Sequence, residues 1–252
     1  MIEIKSVSNP KFKHFKSLLS KKGREESGEY IVEGIKSVRD ALALEREITA
    51  VILSERKRSA VDGVCAQNVY VMPEALTDKL SDTRSPQGVF AVIKKRGKEF
   101  FVKPDGLYVY CDGISDPGNM GTIIRTADSA GFDGVLLSPE CVEVYNPKTV
   151  RACMGSFFHI DIFENIGADM LVKTGAAVYG GILSGDTVDY RLPDYSGCTV
   201  IAVGNEANGI SDSVKKICRH IKIPIYGGAE SLNAAVAAAV MMYEAANKRN
   251  GK

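Results

Sequence analysis

Three short polar stretches interrupt otherwise apolar sequence, and they hold the residue types that could do chemistry. The first, SDPGNMGTIIRTADSAGFDG at 115–134, carries Asn119 and Arg125 behind a Pro-Gly turn. The second, GNEANGIS at 204–211, carries Asn205 and Glu206 between glycines. The third runs from 221 to 249 and places Ser231 and Asn233 between a Gly-Gly loop and an alanine-rich run. Each residue also has an ordinary structural reading. Arg125 could form a surface ion pair with Asp128 at i+3, and Asn119 could be a turn residue between two glycines. Glu206 could start a helix, and Ser231 and Asn233 could cap one. Taken singly, the three stretches favour these ordinary roles.

Commoner chemistries find no support. No GxGxxG occurs, which disfavours a dinucleotide site. GGILSGDT at 180–187 has glycines at Walker spacing, but Asp186 stands where the phosphate-binding lysine must be, and a carboxylate there repels phosphate. No GxSxG is present. The six cysteines, at 65, 111, 141, 153, 198 and 218, never come closer than 12 residues to one another, and His14, His159 and His220 are equally scattered. A zinc site therefore has no sequence support, and reduced, buried thiols are expected.

The elements that must position the polar stretches alternate between strand and helix. LYVYC (107–111), GVLLS (134–138), AVYGGIL (177–183), TVIAV (199–203) and IKIPI (221–225) read as buried strands separated by helical stretches. That pattern predicts a parallel sheet covered on both faces. Residues 122–130 predict a helix with Ile123, Ile124, Ala127 and Ala130 inward and Gly131 past its end. The GNE loop then follows a strand directly, where α/β proteins place ligands. Upstream, a helix over 33–45 and β-rich runs at 50–54, 68–72 and 88–93 predict a smaller α/β domain, and KKRGKEFFVKPDG reads as a boundary near 94–105.

With 252 residues, 45% hydrophobic and 25% charged, the chain is long enough for one large domain or two smaller ones. The longest uncharged run near the end, 231–243, is 13 residues, short of the roughly 20 a membrane span needs. The opening MIEIKSVSNPKFK has no apolar stretch behind its charges, so a cytoplasmic protein is expected. The net charge of +1 hides an asymmetry: residues 1–103 carry 20 Lys and Arg against 14 Asp and Glu, and 104–252 carry 12 against 17. Seven basic side chains, Arg24 among them, lie in the first 24 residues, interleaved with Phe12, His14 and Phe15. Such mixing suits an RNA surface. The helical spacing of Phe12, Phe15, Leu18 and Leu19 assigns the rings to a core and leaves the lysines for a ligand.

Together, and in this order, the three stretches resemble the SpoU (TrmH-type) branch of the SPOUT RNA ribose methyltransferases. The first motif matches at Asn119, Gly121, Arg125, Thr126, Ala127 and Gly131, preceded by Asp116 and Pro117. The second matches at Gly204, Asn205, Glu206 and Gly209, and the third at Ile223, Pro224, Ser231, Leu232 and Asn233. Ala207, Ala234 and Ala235 replace other small residues found in many relatives. The segment from Asn9 onward looks like the small ribosomal-protein-like RNA-binding domain that many members carry.

The resemblance implies an RNA substrate-binding domain over 1–100 and a methyltransferase domain over 105–252 with a C-terminal trefoil knot, an exception to the rule against threading. It implies methyl transfer from S-adenosyl-L-methionine to a ribose 2′-hydroxyl, in rRNA rather than tRNA, by a homodimer joined through the C-terminal domain, with no metal, membrane or DNA involved. Arg125, Asn119, Glu206, Ser231 and Asn233 are the expected catalytic residues. Leu183, Gly204, Asn205, Ile223 and Leu232 are expected to hold the cofactor, and Lys11, Lys13, Lys16, Lys21 and Lys22 the RNA. Arg125 would act as proton acceptor or, given a free pKa of about 12.5–13.8, as an electrostatic stabiliser. The rival from another class is a non-catalytic RNA-binding ribosome-assembly protein, which predicts erosion of Asn119, Arg125, Glu206 or Asn233. None is eroded.

Overall fold

The computed structural model describes residues 1–60, 68–183 and 185–251; Cys65 lies outside them. The chain divides into two compact units, Met1–Gly97 with Glu143–Phe158, and Lys98–Val142 with His159–Lys252. The stretch Glu143–Phe158 thus belongs with the first unit, whereas the sequence reading places it in the second.

The first unit contains β1 (Ile2–Glu3), α1 (Pro10–Ser17), α2 (Lys21–Ser27), β2 (Glu29–Glu33), α3 (Ile35–Ala43), β3 (Ile48–Ser54), β4 (Val69–Met72), α4 (Glu74–Thr77) and β5 (Val89–Lys94). The second begins with β6 (Leu107–Asp112), α5 (Pro117–Ser129) and β7 (Gly134–Leu137). The chain then contributes α6 (Pro147–Ala152) to the first unit. The second resumes with β8 (Asp161–Phe163), α7 (Ala168–Lys173), β9 (Ala177–Gly181), β10 (Val188–Asp189), β11 (Thr199–Gly204), α8 (Asp212–Lys215), β12 (Arg219–Lys222) and α9 (Ala234–Arg249).

In the first unit the sheet order is β1-β4-β3-β5-β2, with β5 antiparallel to both neighbours and the other pairs parallel. Asn9 caps α1, accepting from the Lys11 amide at 2.9 Å, and Pro10 occupies the first turn, where no amide is needed. Phe12, Phe15 and Leu18 turn inward onto Ile52 and Phe90, as their spacing predicts. The helix does not continue through Leu19. Ser20 caps a second helix through the Gly23 amide, and a side chain at Gly23 would strike the Ser17 carbonyl at 2.2 Å.

Arg24, counted with the surface lysines from sequence, is instead buried at 2% exposure. Its Nη1 donates to the Leu18 carbonyl at 2.8 Å, and its Nε and Nη2 hold both carboxylate oxygens of Glu143. Lys95 Nζ adds a 3.5 Å contact to Glu143 Oε1. Burial pushes the Glu143 carboxyl up, but the Arg24 fork and Lys95 outweigh it and hold the group below the usual glutamate range. Tyr30 packs on Tyr145 and Phe157, which fastens the same stretch along β2.

The second unit is built on an all-parallel sheet of order β10-β12-β9-β11-β6-β7-β8. From β6 the chain moves by way of α5 to β7 on one side; from β11 it moves by way of α8 to β12 on the other. The carboxyl ends of β6 and β11 therefore flank the point where strand order reverses, the crevice that open α/β sheets use for ligands. Gly204 and Asp112 stand side by side in that register. The long helix α9 packs against α5 and across β11 and β6.

The boundary segment is not a free linker. Phe100 and Phe101 meet Phe163 edge-on, Lys98 pairs with Asp161, and Lys103 pairs with Asp133. The five described cysteines are all free thiols, and burial pushes each of them up, Cys153 to about 12. They act as small apolar side chains, not as nucleophiles. Among the described residues no cluster could hold a metal ion, and no helix is long and apolar enough to cross a membrane.

Candidate active site at the carboxyl ends of the parallel strands

Asp116 starts α5 five residues earlier than apolar periodicity indicates. Its side chain accepts the Asn119 amide at 2.7 Å, and Pro117 fills the first turn. Asn119 is therefore helical rather than a turn residue, and its side chain is aimed by the first turn of a rigid element. Met120, Ile123, Ile124 and Ala127 anchor the opposite face in the core, while Ala130 is half-buried at the helix end and Gly131 takes φ +74°.

The loop after β11 closes on itself. Asn205 and Gly209 exchange backbone hydrogen bonds of 3.1 and 2.8 Å. Asn205 Oδ1 accepts from the Ala207 amide at 2.8 Å, and its Nδ2 donates to the Gly113 carbonyl at 2.8 Å. At Gly204 the opposite limb comes so near that a Cβ would lie 2.0 Å from the Gly209 carbonyl carbon. Only glycine permits that approach. Beneath the loop, buried Asp112 accepts the Ser211 amide at 2.7 Å and fixes the exit. Asp112 was missed from sequence; its signal was an acidic residue directly ending an apolar strand at the ligand side.

The three motifs meet through side chains. Asn119 Nδ2 donates to Glu206 Oε1, and Asn233 Nδ2 donates to Asn119 Oδ1 at 3.0 Å. Asn233 Oδ1 meanwhile caps α9 through the amides of Ala235 (2.9 Å) and Val236 (3.3 Å). The capping and site readings of Asn233 thus hold together, one at each end of its amide. Glu206 starts no helix; α8 begins only at Asp212.

Beside this chain lies a cavity of about 470 Å³, within the usual range for small-molecule sites. Leu183, Gly204, Asn205, Ile223 and Leu232 all line it, as do Glu206 and Ser231. Residues 223–232 form no strand or helix, and their backbone amides donate to no partner among the described residues. Unpaired backbone donors beside the apolar Ile182, Ile223 and Ile225 can read the edge of a flat heterocycle. Glu206 and Glu230 supply carboxylates and Lys215 and Lys222 ammonium groups within the same wall, suited to a ligand that carries both signs of charge. These features fit S-adenosylmethionine: apolar surface for the adenine, backbone donors for its ring nitrogens, carboxylates for its ammonium and sulfonium, and lysines for its carboxylate.

Arg125 does not line this cavity. It lies on the exposed face of α5, and its guanidinium has no hydrogen-bond or ion-pair partner among the described residues. The i+3 ion pair with Asp128 does not form; Asp128 Oδ2 faces His159 Nδ1 at 3.4 Å instead.

In the first unit, Lys11 and Lys13 are exposed on α1. Lys16 donates to the Lys79 carbonyl, and Lys21 and Lys22 pair with Glu25 and Glu26, each at 3.7 Å. These five lysines stand in a unit separate from the one that holds the cavity.

A parallel α/β unit with a tight glycine-closed loop and a cavity at its strand-order reversal is a small-ligand domain of the α/β class. Residues 106–243 match the SpoU rRNA Methylase family, and residues 9–91 match the MRM3-like substrate binding domain. The chain belongs to the SpoU rRNA methylase family. It is 33% identical over 247 residues to the Bacillus subtilis 23S rRNA (guanosine(2553)-2′-O)-methyltransferase RlmP, covering 96% of this chain and 98% of that one. It is 28% identical to the 23S rRNA (uridine(2479)-2′-O)-methyltransferase of Streptomyces viridochromogenes, covering 96% and 91%. Its fold matches the crystal structure of an AdoMet-bound rRNA methyltransferase from Sinorhizobium meliloti with a TM-score of 0.86, at 32% identity and 96% coverage of each chain.

Proposed function

We propose that this chain transfers a methyl group from S-adenosyl-L-methionine to a ribose 2′-hydroxyl of large-subunit rRNA. The observation that carries the reading is the Asn233–Asn119–Glu206 hydrogen-bonded chain, which reaches at Glu206 the wall of a cavity whose loop 223–232 has backbone donors unpaired among the described residues. The cofactor supplies an already activated sulfonium methyl. What remains for the protein is in-line positioning and stabilisation of a forming alkoxide. Leu183, Ile223 and Leu232 enclose the cofactor, and Gly204 and Asn205 shape the loop beside it. Asn119 and Asn233 orient Glu206, and Ser231 offers a hydroxyl to the substrate edge. Arg125 holds the phosphate next to the target ribose and stabilises the alkoxide, while the hydroxyl proton leaves to solvent. Titration calorimetry with S-adenosylmethionine tests the site: saturable heat and thermal stabilisation that grows with cofactor concentration are expected, and their absence overturns the reading. Mapping of 2′-O-methyl sites with and without this chain separates rRNA from tRNA substrates.

The working form is a homodimer through the second unit. Val236, Ala239, Val240 and Tyr243 lie at i, i+3, i+4 and i+7 on α9, and Val236 and Tyr243 are 49% and 46% exposed. An apolar stripe of that kind suits an isologous helix contact, and it agrees with an Arg125 that lies outside the cavity of its own chain. Sedimentation at micromolar concentration is expected to give a dimer; an active monomer refutes this.

The first unit selects RNA. Charge reversal at Lys11 and Lys13, the two of the five expected RNA-binding lysines whose side chains have no partner among the described residues, is expected to flatten the log–log salt dependence of RNA binding by about 0.7–0.9 per lost phosphate contact. Cofactor affinity stays unchanged. An unaltered salt slope overturns their assignment.

A further inference from the structure

The only ionised side chains on α5 are Arg125 and Asp128. They have opposite sign and i,i+3 spacing, which puts their Cβ atoms about 5–6 Å apart on one helix surface. Nothing else on the helix competes for them: the hydroxyls of Thr122, Thr126 and Ser129 are turned back onto the Gly118, Thr122 and Arg125 carbonyls. The pair nevertheless does not form. Asp128 is directed to the ring of His159, which enters from the segment preceding β8, and the guanidinium of Arg125 is left open to solvent.

We propose that His159 is a positioning residue for Arg125: by engaging Asp128 it withholds the nearest carboxylate from the guanidinium, so that Arg125 meets the substrate phosphate with its charge uncompensated. The proposal rests on the role given to Arg125 above. A guanidinium already clasped by a carboxylate must release it before it can bind a phosphate, and the two anions then compete for one fork of donors. His159 removes that competition from outside the cofactor cavity, which it does not line.

The test is a rescue experiment. Single-turnover methyl transfer is measured at saturating 23S rRNA transcribed in vitro, with labelled S-adenosylmethionine. His159→Ala is expected to slow transfer by about three- to tenfold, the order of coupling seen between neighbouring charged residues, with cofactor affinity unchanged. Adding Asp128→Asn to that variant removes the competing charge and restores the rate to within about twofold of the parent, in the manner of a double-mutant cycle. His159→Gln, which retains a donor for Asp128, stays near the parent rate. A merely structural role for His159 gives no recovery on removal of a second buttressing group. A parent-like rate for His159→Ala, or a slow rate that Asp128→Asn fails to restore, overturns the proposal. Arg125→Ala, assayed alongside, keeps the two readings apart. If it transfers methyl at the parent rate, the role of Arg125 falls; if it collapses while His159→Ala does not slow, only the role of His159 falls.

Discussion

Arg125→Ala lowers single-turnover methyl transfer by roughly 10²–10³-fold, the loss that follows removal of one preorganised group facing developing charge. S-adenosylmethionine affinity, read by calorimetry, stays the same, because Arg125 is outside the cavity that Leu183, Gly204, Ile223 and Leu232 enclose. Most RNA affinity also survives, since the lysines on α1 are untouched. The fold tolerates the change: the side chain is exposed and has no hydrogen-bond partner among the described residues to lose. A drop in rate with both affinities intact is the signature of an interaction made in the transition state. Arg125→Lys keeps the charge but loses the fork, and recovers only part of the rate. Transfer by Arg125→Ala at the parent rate would sink the assignment.

The second large effect is on stability and lies in the first unit. Glu143→Ala leaves the Arg24 guanidinium buried with no carboxylate, which costs about 3–5 kcal/mol. At roughly 2–4 °C per kcal/mol for a chain of this size, the melting transition that includes β2 falls by about 6–20 °C. Arg24→Met combined with Glu143→Leu costs less than either change alone, because no charge is then stranded. The same pair sets a pH dependence. The Glu143 carboxyl is held below its unfolded value of about 4.3. Its contribution is therefore complete above that value and is lost as pH falls through the lower folded one. Melting curves from pH 7 downward show the loss in the parent protein and not in the Met/Leu double variant. Equal acid sensitivity of the two proteins refutes the account.

β6, β7, β9 and β11 were legible because each is an apolar run buried along most of its length, whereas β8 and β10, three and two residues long and only partly buried, were not. The three motifs were legible because they break the apolar runs. Where the reading slipped, a local signal was outweighed. Residues 221–225 look like a strand, yet β12 ends at Lys222, because Pro224 has no amide for the ladder, and it begins with the polar Arg219 and His220. Asn119 between two glycines looks like a turn, yet the Asp116 cap and Pro117 start a helix there. EYIVE, which forms β2, is short and flanked by charge, and its apolar centre shows only once β5 pairs with it. Arg24 could not be told from its lysine neighbours, since its partner Glu143 is 119 residues away. The convergence of Asn119, Glu206 and Asn233 follows from the order of strands in the sheet, which no local pattern encodes.

The assignment of Glu143–Phe158 to the first unit has a consequence for how the chain is made. Between Gly97 and Glu143 lie the 45 residues Lys98–Val142 of the other unit. At about 5–20 residues per second, synthesis of that stretch takes roughly 2–9 s. Through that interval the nascent amino-terminal unit has Arg24 without its carboxylate and Tyr30 without the rings of Tyr145 and Phe157. It can collapse but cannot finish. Completion of the amino-terminal unit is thus timed by emergence of the middle of the chain, and a fragment ending at Gly97 lacks the counterion its interior was built around.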